Sequence, residues 1–338
     1  MAAPETLRRA GITSRLLMAF QSAGPNGGKG VVVDDFTTSD AAILWTEEPQ
    51  IDAGRLKSDG GPWMTQLEAE DQTGRYSRPE QPTGIIRAVA TPESVEFFLR
   101  SNWGPLAAGV FGLKPQINEY ATLAWVEDYR AGSTQNLVRI RDVWLHAIRF
   151  RAARQDRLVM EADYAGRSPG QLDPSVSVDA LNALPGGVVL PASPMTPGDF
   201  NKFPNIVGEF RRDPTGANVQ IRISELELTL DQNLTSEWVE AGGWDIGKLG
   251  KTKVGITFTG NVVAETWDIL NDSRVDTKRQ FRIIAKAQAP SKTLTIDLFD
   301  VSFEIERLGY LPGRAYVEFK ATGQAFKTGT DFVTIGLV

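Results

Sequence analysis

A strand-turn-strand pattern occurs twice in this chain of 338 residues. It is DVWLHAIRFRAARQDRLVMEADYAG at residues 142–166 and DVSFEIERLGYLPGRAYVEFKATG at residues 300–323. In both copies apolar residues occupy every second position after the initial Asp-Val, a period that is typical of a strand with one buried face. Each copy is therefore predicted to be a β-hairpin with a long turn.

A second correspondence lies upstream of each hairpin. TGIIRAVATPESVEFFLRSN at residues 83–102 matches VGITFTGNVVAETWDILNDS at residues 254–273, with Gly84 aligned to Gly255. The pattern predicts a strand followed by a short helix, and Pro92 suits the first turn of that helix. The apolar residues predicted to plug one end of a barrel are Val95, Phe98 and Leu99 in the first copy and Trp267, Ile269 and Leu270 in the second.

Each copy also has a strand between helix and hairpin, beginning at Tyr120 and at Arg279. The same elements in the same order predict an internal duplication. In the second copy the apolar face switches around Ser224 and Glu225, which predicts a β-bulge.

The predicted fold class is mainly β, with two tandem β-sandwich or barrel domains, each with a short flanking helix. Residues 169–214 hold 8 of the 19 prolines and have little periodicity, which indicates an extended linker. The predicted division is an N-terminal arm or loop at 1–41, a first β-barrel domain at 42–168, the linker at 169–215, a second β-barrel domain at 216–326 and a C-terminal arm at 327–338. Within the first arm, residues 7–20 are amphipathic and are predicted to form a short helix or an arm.

Composition excludes several classes of function. The chain has 36 Lys and Arg against 42 Asp and Glu, a net charge of -6, which is unlike a protein that grips nucleic acid through a basic patch. It has no cysteine and a single histidine, His146, so a zinc site or a Ser-His triad would need unusual partners. No apolar run is long enough to span a membrane, and the N-terminal one is too short for a signal peptide. We therefore predict no catalytic residue, no metal and no cofactor, and we expect synthesis in the cytoplasm.

Two carboxylate pairs, Asp34-Asp35 and Glu47-Glu48, are candidates for acid and base partners. Adjacent strand residues point to opposite faces, so the pairs suit glycoside hydrolysis poorly. A calcium site in a loop stays open at this point.

Two segments resemble the major tail tube proteins of long-tailed, siphovirus-type bacteriophages. One is ISELELTLDQNLTSEWVEAGGWDIGKLGKTKVGITFTGNV at residues 223–262, which leads into AETWDILND as the family's strand and loop lead into a short helix. The other is RIRDVWLHAIRFRAARQDRLVMEADYAGR at residues 139–167. The resemblance covers roughly residues 42–326 and rests on the cadence of strands and loops.

The resemblance implies a β-sandwich or barrel whose sheet joins those of neighbouring subunits into a continuous inner β-cylinder. Usual members place six barrels in a ring, so three copies of this two-barrel chain would complete a pseudo-hexagonal ring. Open sheet edges are association hazards unless they are covered or charged, and a ring of barrels uses these edges as its joints. Fusing two barrels makes every second joint intramolecular, which raises the effective concentration of the two edges that meet there.

The implied function is a structural subunit of a phage tail tube, in which stacked rings form a hollow conduit for DNA ejection. The implied partners are further copies of the chain and the tape measure, terminator and distal tail proteins. DNA would pass through the lumen without specific binding, no membrane is involved, and the location is the virion tail, assembled in the host cytoplasm.

A lumen rich in lysine and arginine would hold the DNA polyanion, so acidic residues are predicted to line it. The candidates are Glu225, Glu227, Asp231, Asp297, Glu304 and Glu306, with Glu68, Glu70 and Asp71 in the first copy. Arg139, Arg141, Arg149 and Arg151 are not all expected to face the lumen.

Ring stacking needs contacts along the tube axis. The candidate residues are Trp103, Phe111, Phe332, Ile335 and Leu337. The C-terminal segment from Lys327 alternates apolar and small residues and could add a strand to a neighbour.

The alternative function is a carbohydrate-binding or hydrolytic double β-sandwich module of a phage tail or adhesin. A sugar site would need several exposed Trp or Tyr on one face. Trp125, Trp144, Trp238 and Trp267 lie in or beside predicted strands and helices, where they can belong to the core.

Overall fold

The computed structural model describes residues 13–21, 33–38, 41–44, 50–51, 56–58, 77–79, 81–104, 106–111, 120–129, 134–152, 158–166, 205–211, 219–239, 243–249, 252–261, 278–286, 292–308, 318–326 and 333–338. Within these residues the chain is mainly β, with 20 strands and one helix, α1 at Pro92–Trp103. Every strand pairing among them is antiparallel, so the predicted mainly-β class is confirmed.

Eleven strands precede residue 167. They are β1 Thr13–Phe20, β2 Ala41–Leu44, β3 Gln50–Ile51, β4 Leu56–Ser58, β5 Ser77–Pro79, β6 Thr83–Val89, β7 Leu106–Ala107, β8 Val110–Phe111, β9 Ala121–Tyr129, β10 Thr134–Ala152 and β11 Val159–Ala165. Nine strands follow residue 204. They are β12 Asn205–Arg211, β13 Val219–Asp231, β14 Leu234–Val239, β15 Gly243–Leu249, β16 Lys253–Asn261, β17 Arg279–Lys286, β18 Thr293–Leu308, β19 Glu318–Ala325 and β20 Val333–Leu337.

The strands of the second half pair in a closed cycle. Going round it, β12 pairs with β17, β17 with β18, β18 with β19, β19 with β16, β16 with β13 and β13 with β12. The first half pairs in the same order, from β1 through β9, β10, β11 and β6 to β3, while β2 returns to β1. Residues 45–49, between β2 and β3, lie outside the described part of the chain.

The two predicted hairpins are confirmed as β10 with β11 and β18 with β19. Both long strands have a register shift at the same place, next to Asp142 in β10 and next to Asp300 in β18. These two aspartates have left-handed backbone angles, with φ of 50° and 47°. A left-handed non-glycine residue is uncommon, although Asp tolerates it better than most, so its recurrence at matching positions supports the predicted match between the hairpins.

The sequence alignment of β6 with β16 is wrong by one residue. Matching Gly84 to Gly255 sets Ile85 beside Ile256, but Ile85 is 38% exposed whereas Ile256 is 2% exposed. The buried residue of β6 is Ile86. Because successive side chains on a strand face opposite ways, a slip of one residue exchanges the two faces.

The helix predicted in the first copy is confirmed, and its start has a capping box. The hydroxyl of Thr91 accepts a hydrogen bond from the backbone N–H of Ser94 at 3.1 Å, and the Ser94 hydroxyl accepts one from the N–H of Thr91 at 2.8 Å. Phe97 stacks on Phe20 at 4.1 Å. The predicted plug residues are fully buried: Val95, Phe98 and Leu99. The helix predicted in the second copy lies outside the described residues.

Three segments predicted as arms or linker contribute strands to the sheet instead. The N-terminal arm contains β1, which pairs with β9 and β2. The linker contains β12, which begins at Asn205, and the C-terminal arm contains β20, which pairs with β18 of the same chain. Strands of the sheet therefore also lie in the segments predicted as arms and linker, and the predicted division into two barrel domains stays a prediction.

The N-terminal strand was missed because both of its faces are buried. Leu16, Met18 and Phe20 belong to the main core, while Leu17 and Ala19 pack in a smaller cluster with Phe36. A strand covered on both faces shows no alternation, and a short apolar run of this kind cannot be told from a helix by its period.

A candidate assembly interface

One sheet runs without interruption through both halves of the chain. Its strand order is β3, β6, β11, β10, β13, β16, β19 and β18, and each neighbouring pair is hydrogen bonded. We call it the eight-stranded sheet. The halves meet where β10 pairs with β13, from Ala147 opposite Asp231 to Ala152 opposite Leu226. The predicted β-bulge in β13 is confirmed by a register shift between Ile223 and Glu225.

Contacts beyond the strand pairing hold this joint. The backbone N–H of Gln232 donates to the carbonyl of His146 at 3.0 Å. The Ser236 hydroxyl, at the start of the β14–β15 hairpin, lies 2.7 Å from the Gln81 side-chain oxygen of the first half. Leu234 packs against a small cluster of the first half that includes Trp144. The junction therefore combines main-chain, polar and apolar contacts.

Both ends of the eight-stranded sheet have an open edge among the described residues. At Ile305–Leu308, β18 pairs with β19 on one side and with no described strand on the other. The corresponding stretch of β10 is the one that β13 occupies. At the far end, β3 pairs with β6 and with no other described strand. The open edge of β18 therefore corresponds to the edge of β10 that pairs with β13 inside the chain.

One face of this sheet covers the core and the other carries polar side chains. In β13, Leu226, Leu228 and Leu230 are buried in the core, so Glu225, Glu227 and Asp231 lie on the opposite face. In β18, Phe303 faces the core, which puts Glu304 and Glu306 on the polar face. The structure therefore brings these five predicted lumen residues to one surface, which we call the polar face.

Of the other four predicted lumen residues, one lies elsewhere in the sheet and three lie outside the described residues. Asp297 precedes the register shift in β18, where the strand pairs with β17 and β20, and its carboxylate makes two hydrogen bonds with Arg282 at 2.6 and 2.8 Å. Glu68, Glu70 and Asp71 lie outside the described residues. Whether any of these residues faces a lumen stays a prediction.

Two of the four arginines considered in the sequence are on the polar face. Arg149 and Arg151 alternate along β10 with the core residues Ile148 and Phe150. Arg139 is elsewhere, 4% exposed and paired with Asp34. The face is thus not purely acidic, and no sequence pattern indicated the ion pairs that its arginines form.

The described residues predicted to stack rings are buried within the chain itself. Trp103, Phe111, Ile335 and Leu337 all belong to the main core, and Phe332 lies outside the described residues. Buried side chains have no surface to offer a second molecule. Two neighbours are exposed instead, Val110 at 43% and Val338 at 80%. They lie close together because β8 pairs with β20 and the Leu337 N–H donates to the Gly109 carbonyl at 2.9 Å.

The polar face has a depression of about 590 Å³ over the second half. It is lined by Thr229, Asp231, Lys253, Val254, Gly255, Ser302, Glu304, Thr322, Gly323, Gln324 and Phe326. Asp231 lies directly across from Lys253 on the neighbouring strand, so the depression is lined by a residue of each charge. The described residues contain no group of three or more His, Asp or Glu side chains placed to hold a metal ion.

The aromatic residues that the structure describes do not form a sugar-binding platform. Trp103, Trp144 and Tyr164 are buried, and Trp125 packs against the core. The side chains of Trp238 and Trp267 lie outside the description. Asp34, one of the carboxylates considered for calcium, is the partner of Arg139.

His146 lies at an irregularity of β10, where the pairing with β11 shifts register. Burial lowers the pKa of His146, and Arg149 acts in the same direction, while Asp163 and Asp231 oppose it. Because His146 lies beside the joint of β10 and β13, the pH dependence of folding that it causes reports on the packing of that joint.

We expect His146 to make folding less favourable in mild acid. Above its ordinary pKa, about 6.5, the ring is neutral in both states. As the pH falls through that value the unfolded chain takes up the proton first, so stability falls until the lower folded pKa is passed. Urea unfolding at pH 7.5 and 5.5 should show a smaller loss for His146→Gln than for the natural chain. Equal losses would contradict this assignment.

No described helix is long and apolar enough to cross a membrane. The chain matches no protein-family model and no curated protein.

Proposed function

We propose that this protein is a structural subunit of a phage tail tube, built as two tandem tail-tube-like barrels. The observation that carries the proposal is the eight-stranded sheet, which crosses from one half to the other through β10 and β13 and, among the described residues, ends in an open edge on each side. A chain that already contains one such joint has the two edges needed to repeat it with its neighbours. Joining unlike edges head to tail is the kind of contact that closes a ring.

A ring of three chains would enclose a lumen wide enough for duplex DNA. Three chains would supply 24 strands to an inner cylinder, in agreement with the pseudo-hexagonal ring that the family resemblance implies. With strands about 4.8 Å apart and tilted by about 40°, such a cylinder has a backbone diameter of about 48 Å. Duplex DNA, about 20 Å across, fits inside with room for side chains on both walls.

The orientation of the sheet follows from the same proposal. Its apolar face is covered by the chain's own core, so the polar face is the one that would line the lumen. Stacked rings would form the conduit for DNA ejection in the virion tail, with the tape measure, terminator and distal tail proteins as partners. Val110 and Val338, the exposed neighbours of the predicted stacking residues, are candidates for contact with the next ring.

Electron microscopy of the purified chain at rising concentration tests the proposal, with mass photometry of the same samples. We expect trimers, rings and then hollow tubes. Single chains at every concentration, up to the point where the natural protein precipitates, would contradict it. In that case a glycan array would test the alternative of a carbohydrate-binding module.

A further inference from the structure

Three arginines on the polar face each have a carboxylate partner from a neighbouring strand. The Nε of Arg87 on β6 lies 2.6 Å from Glu161 on β11. Arg151 on β10 lies 2.9 Å from the same carboxylate. Arg149 makes two hydrogen bonds with Asp163, at 2.7 and 2.5 Å.

Glu161 is the most enclosed member of this group. Its side chain is 6% exposed, although it lies on the polar side of β11, because it lies between Arg87 and Arg151. Those two arginines are 60% and 42% exposed. A carboxylate taken out of water is tolerated where charged hydrogen-bond donors surround it. The arginines therefore remain accessible to solvent while their charge is directed at Glu161.

The arginines also have a structural task at the joint. Arg151 reaches Glu227 on β13 at 3.1 Å, so it connects Glu161 of the first half to a carboxylate of the second. Arg149 lies on the same strand, and the register of β10 places it directly opposite Thr229 of β13. Guanidinium groups therefore lie on the polar face beside the joint. Under the proposed function, this is the surface along which DNA passes.

We propose that Glu161 and Asp163 are internal counter-ions that keep these arginines from holding DNA phosphate. A guanidinium binds phosphate with the same two-pronged geometry that it uses for a carboxylate, so the fork of Arg149, which Asp163 occupies, cannot also bind the DNA backbone. Glu161 contacts Arg87 through Nε alone and Arg151 through one terminal nitrogen, so it acts on these two arginines mainly by neutralising their charge. The inference rests on the proposed function for its biological meaning. Its chemistry concerns only the polar face and can be measured on the isolated chain.

The test is the binding of a short fluorescent DNA duplex, followed by anisotropy over a series of salt concentrations. Glu161→Gln leaves Arg87 without its carboxylate and Arg151 with Glu227 alone. We expect this variant to bind duplex at least about tenfold more tightly than the natural chain at low salt. Each additional phosphate that an arginine neutralises should steepen the log-log salt dependence by about 0.9, so a change of about 1 to 2 is expected.

Glu304→Gln is the matched control. It removes the same charge from the same face, and no described arginine is paired with Glu304. If net charge alone repelled DNA, both variants would bind equally well, and the counter-ion role would be overturned. It would also be overturned if neither variant bound more tightly than the natural chain. The double variant Arg87→Gln with Glu161→Gln should reverse part of the increase in affinity.

A second variant covers the case in which Glu161→Gln does not fold, as judged by circular dichroism and thermal melting. Asp163→Asn frees Arg149, and the carboxylate that it removes is less enclosed than Glu161, with side chains 18% and 6% exposed. This variant should give the same increase in affinity with a change in slope of about 1. The two proposals fail separately. Tubes that form while no variant binds DNA more tightly would overturn the counter-ion role alone, whereas tighter binding by Glu161→Gln in a chain that never forms rings would overturn the tube alone.

Discussion

A single proline at the open edge of β18 is expected to abolish ring formation while the chain stays folded. Along a strand paired on one side, residues alternate between those bonded to the neighbour and those whose N–H points away from it. Of Glu306→Pro and Arg307→Pro, one therefore removes an N–H used by β19 and the other an N–H on the open side. Proline is tolerated in a sheet only where its missing donor is not needed.

We expect one variant of the pair to melt at a lower temperature and the other to melt close to the natural chain. The second should stay monomeric in mass photometry at concentrations where the natural chain forms rings. Glu306→Ala, which keeps the backbone donor, is the control and should assemble normally. Rings formed by both proline variants would show that this edge is not a joint and would move the interface elsewhere.

Sequence patterns predicted the strands and the helix correctly where one face of the element is exposed to solvent. The two hairpins and the bulge at Ser224 follow from alternation, and α1 follows from its apolar residues and from Pro92 in its first turn; the structure confirms all of them. The polar positions of β13 and the distal part of β18 were assigned to one surface on the same grounds. Period alone fixes which residues share a face once the strand is known.

Patterns failed where a strand is covered on both sides or where its partner is distant along the chain. The alternation of β1 is hidden by a second apolar cluster on its other face. The alternation of β20 was recognised, but the strand was expected to pair with a neighbouring molecule and it pairs with β18 of the same chain. The stacking residues illustrate the same limit, since Ile335 and Leu337 looked free in the sequence only because their partner β18 is distant along the chain. The counter-ions could not be predicted either. Arg149 and Asp163 are neighbours only through the register of the hairpin.

Replacing Phe258 by Ala is expected to cause the largest loss of stability among simple core changes in the second half. Phe258 is 1% exposed and stacks on Phe281 at 4.8 Å, with edge contacts to Phe303 at 5.9 Å and Phe319 at 5.8 Å. Truncating a buried Phe typically costs about 3–5 kcal/mol, because the lost burial adds to an unfilled cavity. Urea unfolding followed by fluorescence should show the midpoint displaced accordingly.

The same measurement tests how tightly the halves are coupled. Phe150→Ala is the counterpart in the first half, since Phe150 is fully buried on β10, the strand that pairs with β13. If the joint makes the chain one cooperative unit, either variant should shift a single transition seen by every probe. Two transitions, each moved by only one of the variants, would contradict that coupling. The halves would then be independent barrels, and the pairing of β10 with β13 would be a weak contact that depends on the assembled ring for its stability.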